Sequence, residues 1–420
     1  MVADGYKQTE MGVIPEDWKI KKLGESFEFK NGLNKAKEFF GHGTPIVNYM
    51  DVFNNNGLHA NDIIGKVEVN KDELKNYNVK KGDVFFTRTS ETVDEIGITT
   101  VVIEDVKDTV FSGFILRARA IDDIYALHYK KYCFSSQLIR NQIIATSSYT
   151  TRALTNGTSL SKVLIPIPPK QEQKAIATAL SDVDELIASL EALVAKKKDI
   201  KTATMQQLLT GKKRLHGFSG EWEEKKLGEM SEMSSGGTPS SKVQEYYNGK
   251  IRWVSISDMT KAGKYLYDTE KKITPKGLEN SSAKVFPKNT LLLAMYASIG
   301  KCCIAINEVA TSQAILGITT KTKILKEYLY YYFLFNRTML INQGQQGTQA
   351  NLNKEMVQNI TILLPSLEEQ VEIVKVLSDM DQELETLKTR LEKTKAIKVG
   401  MMQELLTGRT RLIKEGGLDA

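Results

Sequence analysis

Apolar residues fall at Ile176, Leu180, Val183, Ile187, Leu190 and Val194, in steps that alternate between four and three. That alternation is a heptad seam, the signature of a helix packing lengthwise on another helix. The same steps recur at Ile373, Leu377, Met380, Leu384, Leu387 and Leu391. The stretch from Lys170 to Thr210 holds neither Gly nor Pro. As one helix it would span roughly 60 Å. Ser366 followed by Glu369 spells a capping box at the second start. Thr210-Gly211 and Thr407-Gly408 supply left-handed stops. Gly400 lies inside the second helix and costs about 1 kcal/mol relative to Ala. One heptad helix ordinarily marks a bundle or dimer interface. Two matching seams in one chain favour pairing with each other, because the chain supplies a high effective concentration.

The rest of the chain reads as mixed α/β. Short β-branched and aromatic runs are broken by Gly, Asn and Asp: Val84 to Thr87, Thr99 to Ile103 and Phe111 to Ala118, then Leu291 to Ala294, Cys303 to Ile306 and Ile315 to Thr319. A helical stretch follows in each half, near Tyr125–Ser147 and Leu325–Gln343.

These halves are copies. Pro169-Lys170-Gln171-Glu172-Gln173 matches Ser366-Leu367-Glu368-Glu369-Gln370 in its closing Glu-Gln. Leu180-Ser181-Asp182-Val183-Asp184 matches Leu377-Ser378-Asp379-Met380-Asp381. Met205 to Lys212 matches Met402 to Arg409, all at an offset of 197. Outside the helices the offset drifts: 204 for Trp18 to Glu25 against Trp222 to Glu229, 207 for Val47 to Asp51 against Val254 to Asp258, and 200 for Ser112 to Leu116 against Ser312 to Leu316. Insertions collect in loops, which carry few packing constraints. Each copy is thus a variable globular part followed by a helix of fixed length.

Composition changes this picture little. At 420 residues the chain can hold two or three domains with real cores. Hydrophobic content of 41% and charged content of 26% are ordinary for a soluble globular protein. No apolar run approaches the ~20 residues of a membrane span, and the N-terminus has no apolar signal core. Three cysteines, two of them adjacent, cannot form a disulfide framework, which points to a reducing cytoplasm. A net charge of +6 permits an anionic partner without requiring one.

Catalytic chemistry is missing from the motifs. There is no dinucleotide loop and no Walker sequence. Gly236-Gly237-Thr238-Pro239 lacks the Lys and helix start that a phosphate cradle needs. His42, His59, His128 and His216 are scattered, and none pairs with a Cys at metal spacing. No Asn-Pro-Pro-aromatic tetrad for amine methylation is present. Glu16-Asp17 with Lys19 is an acidic pair of the kind that arises by chance at this charge density. The chain reads as a binding or organising protein, with no catalytic, cofactor or metal residues of its own.

Polar residues suited to reading DNA follow the strongest strand of each copy. They are Arg88, Thr89 and Ser90 in the first copy, and Tyr296 and Ser298 in the second. A second set follows the helical stretch: Tyr149, Thr151 and Arg152, against Gln346, Thr348 and Gln349. Arg matches the guanine edge bidentately, and Gln or Asn matches adenine. The alternative for each is a solvated polar loop. Lys212-Lys213-Arg214 and Arg409-Thr410-Arg411 could touch phosphates, which set position rather than sequence, or could be solubilising charges.

The opening Gly12-Val13-Ile14-Pro15-Glu16-Asp17-Trp18 with Lys22-Leu23-Gly24-Glu25 resembles the start of specificity (S) subunits of Type I restriction–modification enzymes. Ile165-Pro166-Ile167-Pro168-Pro169 with Glu172-Gln173, Leu364-Pro365 with Glu369-Gln370, and the Met-Gln-x-Leu-Leu-Thr-Gly helix endings are similar too. The resemblance covers essentially the whole chain in order. It departs where the second copy has Asn289-Thr290 for Gly82-Asp83, and where the first has Thr150-Thr151-Arg152 for the family-like Gly347-Thr348-Gln349.

This resemblance implies an α+β protein: two pseudo-two-fold-related α/β target-recognition domains separated by two long antiparallel coiled-coil helices. The corresponding boundaries are 1–168 and 212–365 for the domains, with 169–211 and 366–420 for the spacer helices and tail. It implies a bipartite asymmetric target on double-stranded DNA and two methyltransferase subunits as partners. Complete restriction complexes add two motor-nuclease (restriction) subunits. S-adenosylmethionine, ATP and Mg2+ would be used by those partners, and the protein would be cytoplasmic. Two other classes remain open on the residues alone. A duplicated coiled-coil scaffold would show no salt-dependent DNA affinity, and a single-chain endonuclease would cleave DNA with Mg2+ alone.

Overall fold

The computed structural model of the chain describes residues 3–149, 151–344 and 351–413. The chain divides into two compact units, Met1–Leu190 with Arg390–Ala420, and Glu191–Thr389. Gln346, Thr348 and Gln349 lie outside the described residues.

Each unit is built on a five-stranded sheet with the same strand order. In the first unit the order is Phe27–Asn31, Ile115–Ala120, Val84–Thr87, Thr99–Val102, Gly57–Leu58. In the second it is Ser231–Ser235, Ile315–Thr320, Leu291–Ala294, Cys302–Ala305, Tyr265–Leu266. The central strands are buried at every position because both faces are covered. The one polar member, Thr87, has its hydroxyl hydrogen-bonded to Glu95 O and Ile98 N–H. Val84 and Phe86 pack with Tyr129, Phe134 and Ile139, while Phe85 packs on the other side with Val47, Val52 and Phe111. Leu291 and Leu293 face the helix Lys326–Phe335, while Leu292 and Ala294 face Val254, Met259 and Phe286. A smaller sheet carries the second layer in each unit: three strands around Phe40–Val47 and four around Tyr247–Val254.

The predicted run Phe111 to Ala118 is two strands, Val110–Phe111 and Ile115–Ala120, with a turn at Ser112-Gly113-Phe114. The helical stretch expected at Tyr125–Ser147 is regular only over Gln137–Thr146. Before it come two short 3-10 turns, since Ser136 is extended and caps the helix with its hydroxyl on Ile139 N–H. The second copy is helical over its expected stretch Leu325–Gln343 but in two pieces, Lys326–Phe335, with Tyr328 to Phe333 all buried, and Arg337–Gly344.

The long helices are Lys170–Leu209 and Leu367–Leu405, the second passing through Gly400 unbroken. Gly211 and Gly408 take φ of +68° and +72° just past their ends. Of the seam residues, Ile176, Leu180, Leu190, Val194, Ile373, Leu377, Leu384 and Leu391 are buried. Val183, Ile187, Met380 and Leu387 are half-buried. Each unit's core takes the start of one long helix and the end of the other. Ile176 and Leu180 join Leu405 and Leu406 in the first, and Ile373 and Leu377 join Leu208 and Leu209 in the second. Within the second unit Lys197 pairs with Glu383 and Lys201 with Asp381, so the two segments run antiparallel.

The repeated Glu-Gln pair explains how these segments are tied down. Glu172 is 1% exposed, and its carboxylate accepts from Trp18 Nε1 (2.9 Å) and from Arg411 Nε (2.7 Å) and Nη2 (2.9 Å). Arg411 also forks onto Asp17. In the second unit Glu369, equally buried, accepts from Trp222 Nε1 (3.0 Å) and from Arg214 Nε and Nη2, both at 2.6 Å. Burial works against the charge on Arg411, but the bonds to Glu172 and Asp17 outweigh it and raise its pKa. The adjacent glutamine is fully buried and fully bonded. Gln173 accepts from Ala126 N–H and donates to the carbonyls of Ile124 and Pro168. Gln370 makes the same three bonds with Leu325, Lys323 and Pro365.

Two expectations change here. Ser366 Oγ does cap Glu369 N–H, but the Glu369 carboxylate does not reach back to close the capping box, because the clasp holds it. Arg214 and Arg411 are clasp members rather than free basic joints.

Removing one partner of a buried ion pair leaves a charge without compensation. Arg411→Ala should therefore destabilise the first unit by about 3–5 kcal/mol, and Arg214→Ala the second by as much. Lys at either position should recover less than half, since it cannot fork onto the carboxylate. Amide hydrogen exchange resolved by unit checks this. Equal loss of protection in both units from one substitution would contradict it.

Candidate nucleic-acid interface

The central strand of each five-stranded sheet delivers the chain to the unit's surface. In the first unit Arg88 follows Val84–Thr87, and its N–H donates to Phe114 O (3.2 Å) while its carbonyl accepts from Thr155 N–H (3.0 Å). The equivalent bonds in the second unit are Met295 N–H to Ala314 O (2.9 Å) and Leu352 N–H to Met295 O (3.0 Å). Structurally, then, Met295 stands where Arg88 stands. The second unit presents no guanidinium at that place.

The two sets of candidate residues in the first copy form one surface. Thr89–Ser90, Ala153–Leu154 and Ser148–Tyr149 are a three-stranded sheet. Thr89 lies opposite Leu154, and Ser90 opposite Ala153. Ala153 and Ser90 point inward and are buried, whereas Leu154 is exposed and Thr89 half-buried. Ser90 uses its hydroxyl internally, donating to Glu95 Oε2 (3.3 Å) and accepting from Thr92 N–H (3.2 Å). Tyr149, Thr151 and Arg152 are exposed. Arg152 has only a loose contact with Glu91 Oε1 at 3.9 Å, so its fork is available. Arg88 is half-buried, and its Nη1 touches the carbonyl of Gly113 at 3.5 Å.

In the second unit Tyr296 is exposed and Ser298 half-buried, in a tight turn that holds Ala297 at φ +57°. The first unit fills this place with the longer loop through Glu91 to Glu95. Arg140 buttresses that loop by donating to the carbonyls of Gly97 (2.8 Å) and Asp94 (2.9 Å).

The glycine loops lie beside the same surface, and close approach is their reason. A Cβ on Gly236 would meet Thr311 O at 2.1 Å, and one on Gly32 would meet Ser112 O at 2.1 Å. Asn34 and Thr238, which follow these glycines, are exposed beside the turns Ser112-Gly113-Phe114 and Ser312-Gln313-Ala314. Asn34, Phe114, Thr238 and Gln313 are absent from the residues expected from the sequence. The signal was available, since the aligned stretches Ser112 to Leu116 and Ser312 to Leu316 differ just at Gly113-Phe114 against Gln313-Ala314.

Other chemistry is not assembled. Among the described residues no group of three His, Cys, Asp or Glu side chains is placed to hold a metal ion. Asp17 is committed to Arg411. Burial pushes the Cys303 thiol up to about 12, and the Cys133 and Cys302 thiols higher still. Their nucleophilic thiolate forms are thereby suppressed. No helix among the described residues is long and apolar enough to cross a membrane.

Comparison with known proteins agrees with this duplicated architecture. A family model described as Type I restriction modification DNA specificity domain matches twice, over residues 15–201 and 219–396. The type I restriction enzyme MjaVIII specificity subunit of Methanocaldococcus jannaschii is 23% identical over 440 residues, covering 97% of this chain and 96% of its own. The crystal structure of the Type I restriction–modification system S subunit from M. genitalium is similar with a TM-score of 0.55, at 17% identity over 92% of this chain and 96% of that one. A structure from work on complex assembly and conformational transition of the type I R-M system gives a TM-score of 0.64, at 18% identity over 94% and 99%. With both of its units matched in this way, the chain belongs to the Type I restriction–modification DNA specificity family, the family of specificity subunits.

Proposed function

We propose that this chain reads a bipartite, asymmetric site on double-stranded DNA, one half-site by each unit, and carries no catalysis of its own. One observation supports this most directly. Both units hold the same backbone hydrogen bonds behind their surface loops, yet the first carries Arg88, Phe114 and Asn34 where the second has a buried Met295, Ala314 and Thr238. A shared scaffold with divergent tips suits two readers of different sequence. Arg152 and Arg88 supply the fork that matches guanine, and Tyr149 and Thr151 lie on the same surface.

In this reading the long helices dock two methyltransferase subunits and, where the system restricts, two motor-nuclease subunits. The similar solved structure that concerns type I complex assembly is consistent with such docking. S-adenosylmethionine, ATP and Mg2+ belong to those partners, and the assembly works in the cytoplasm, where its DNA lies. The globular domains are proposed at 1–168 and 212–365, with 169–211 and 366–420 as the helices and tail.

Methylome sequencing of cells carrying this chain with its methyltransferase partner tests the proposal. The expected motif has two different half-sites separated by unspecified bases. A single uninterrupted motif, or none above background, would overturn it.

Arg88→Ala or Arg152→Ala should relax one half-site only. A true bidentate base contact should lose about 1–3 kcal/mol of discrimination at one position. Competition binding against single-base variants of the motif measures this. Uniform weakening on every sequence would make these arginines phosphate contacts.

A further inference from the structure

Each reading tip is a fixed backbone frame with exchanged side chains. In the first unit Ser112 N–H donates to Val47 O (3.0 Å) and Ile115 N–H to Ser112 O (3.1 Å). In the second, Ser312 N–H donates to Val254 O (3.0 Å) and Ile315 N–H to Ser312 O (3.1 Å). Between these anchors the residues differ in a compensated way. Gly113 has no side chain, and the Asn34 amide occupies the space, since a Cβ at 113 would lie 2.0 Å from Asn34 Oδ1. In the second unit the bulk is on the turn instead, where Gln313 Oε1 accepts from Thr238 Oγ1. A position that is rigid in backbone, exposed, and varied in side chain between two copies is suited to recognition rather than to folding.

Phe114 is a large apolar side chain that this frame displays openly. It is 63% exposed, although Phe111, Ser112, Gly113 and Ile115 around it are all buried. Its carbonyl is held by Arg88 N–H (3.2 Å) and its N–H by Ser112 Oγ (3.4 Å), so the ring stands on a pinned turn beside the Arg88 fork. Folding gains little from a phenyl in water. A phenyl has no conventional hydrogen-bonding group, and the apolar feature that distinguishes one base pair from another in the major groove is the thymine C5-methyl.

We propose that Phe114 is a base-reading residue of the first unit, packing its ring on the C5-methyl of a thymine. This rests on the DNA-reading function proposed above and adds the chemistry of one position. Arg88 then reads a neighbouring polar edge, and Phe114 makes the adjacent base pair distinguishable by shape. Ala314, the equivalent in the second unit, is too short to reach as far, so the second half-site carries no such requirement from this position.

The test uses the full chain with its methyltransferase subunits and duplexes carrying its methylation motif. Each thymine of the first half-site is replaced singly by deoxyuridine, which removes only the methyl. One replacement should weaken binding about fourfold, the equivalent of ~0.8 kcal/mol for one buried carbon at 1.4 kcal/mol per tenfold. The Phe114→Ala protein should bind that thymine duplex and its deoxyuridine counterpart alike, while its responses across the second half-site stay unchanged. Phe114→Leu, which keeps an apolar side chain on the turn, should retain part of the discrimination. The proposal is overturned if the thymine preference survives Phe114→Ala, if no thymine of the first half-site discriminates, or if Phe114→Ala weakens binding to all DNA equally. A wild-type complex with no preference for its motif over unrelated DNA would instead sink the DNA-reading function itself, and this inference with it.

Discussion

A buried carboxylate at the start of each long helix is the constraint on which the rest depends. Glu172 and Glu369 lie in the first turn of their helices, where the helix dipole favours negative charge. Each collects an indole N–H and a forked guanidinium. In the second unit Arg214 and Trp222 come from one short segment, whereas in the first unit three segments far apart in sequence meet on one charge. They bring Trp18, Glu172 and Arg411, so the beginning and the end of the chain close on the same clasp. The Tyr6 hydroxyl reinforces this closure by donating to Gly408 O at 3.1 Å. Such an arrangement is stable only when complete, because an uncompensated buried charge is strongly destabilising.

A second junction lies two to three turns further along each helix. The Tyr132 hydroxyl donates to Asp184 Oδ2 (2.8 Å), lies 3.0 Å from Ser181 Oγ, and Lys398 pairs with Asp184 Oδ1 (2.5 Å). Tyr331, Ser378, Asp381 and Lys201 repeat this in the second unit, with Lys264 added on the Tyr331 hydroxyl. Burial holds both tyrosine hydroxyls well above the ordinary phenol range, so they remain donors. Helix and globular part are thus fixed to each other at two levels in each unit. A reading surface carried on such a base has its side chains positioned before DNA arrives, which is what recognition needs.

Much of this was legible in the sequence. The heptad steps followed from periodicity, the helix stops from their Thr-Gly pairs, and the strands Val84–Thr87 and Leu291–Ala294 from short apolar runs broken by turn residues. The repeated Glu-Gln and Ser-Asp-x-Asp motifs were visible, but their role was not. A hydrogen bond between residues 154 or 239 positions apart leaves no local pattern. For the same reason Arg214 and Arg411 read as loose basic residues. Ser90 read as a surface hydroxyl because the alternation of a two-residue strand is too short to show which side faces in. Phe114 was missed because a turn inside an apolar run looks like continuous strand until its hydrogen bonds are seen, and Asn34 because it reaches that turn from a segment far away in sequence.

The central claim is that the frame is common to both units and the half-site is set by what the frame holds. A chimera tests it most directly: residues 24–163 are replaced by 228–360, leaving Trp18, Glu172 and Arg411 to clasp as before. Both exchanged segments begin at the matching Gly24 and Gly228 and end where Leu23 N–H meets Val163 O and Leu227 N–H meets Ile360 O. The measurement is the methylation motif of cells carrying this chimera with the methyltransferase partner. The account predicts an inverted repeat of the second half-site. A motif that keeps the original first half-site would contradict it, and would place sequence reading outside the exchanged segments.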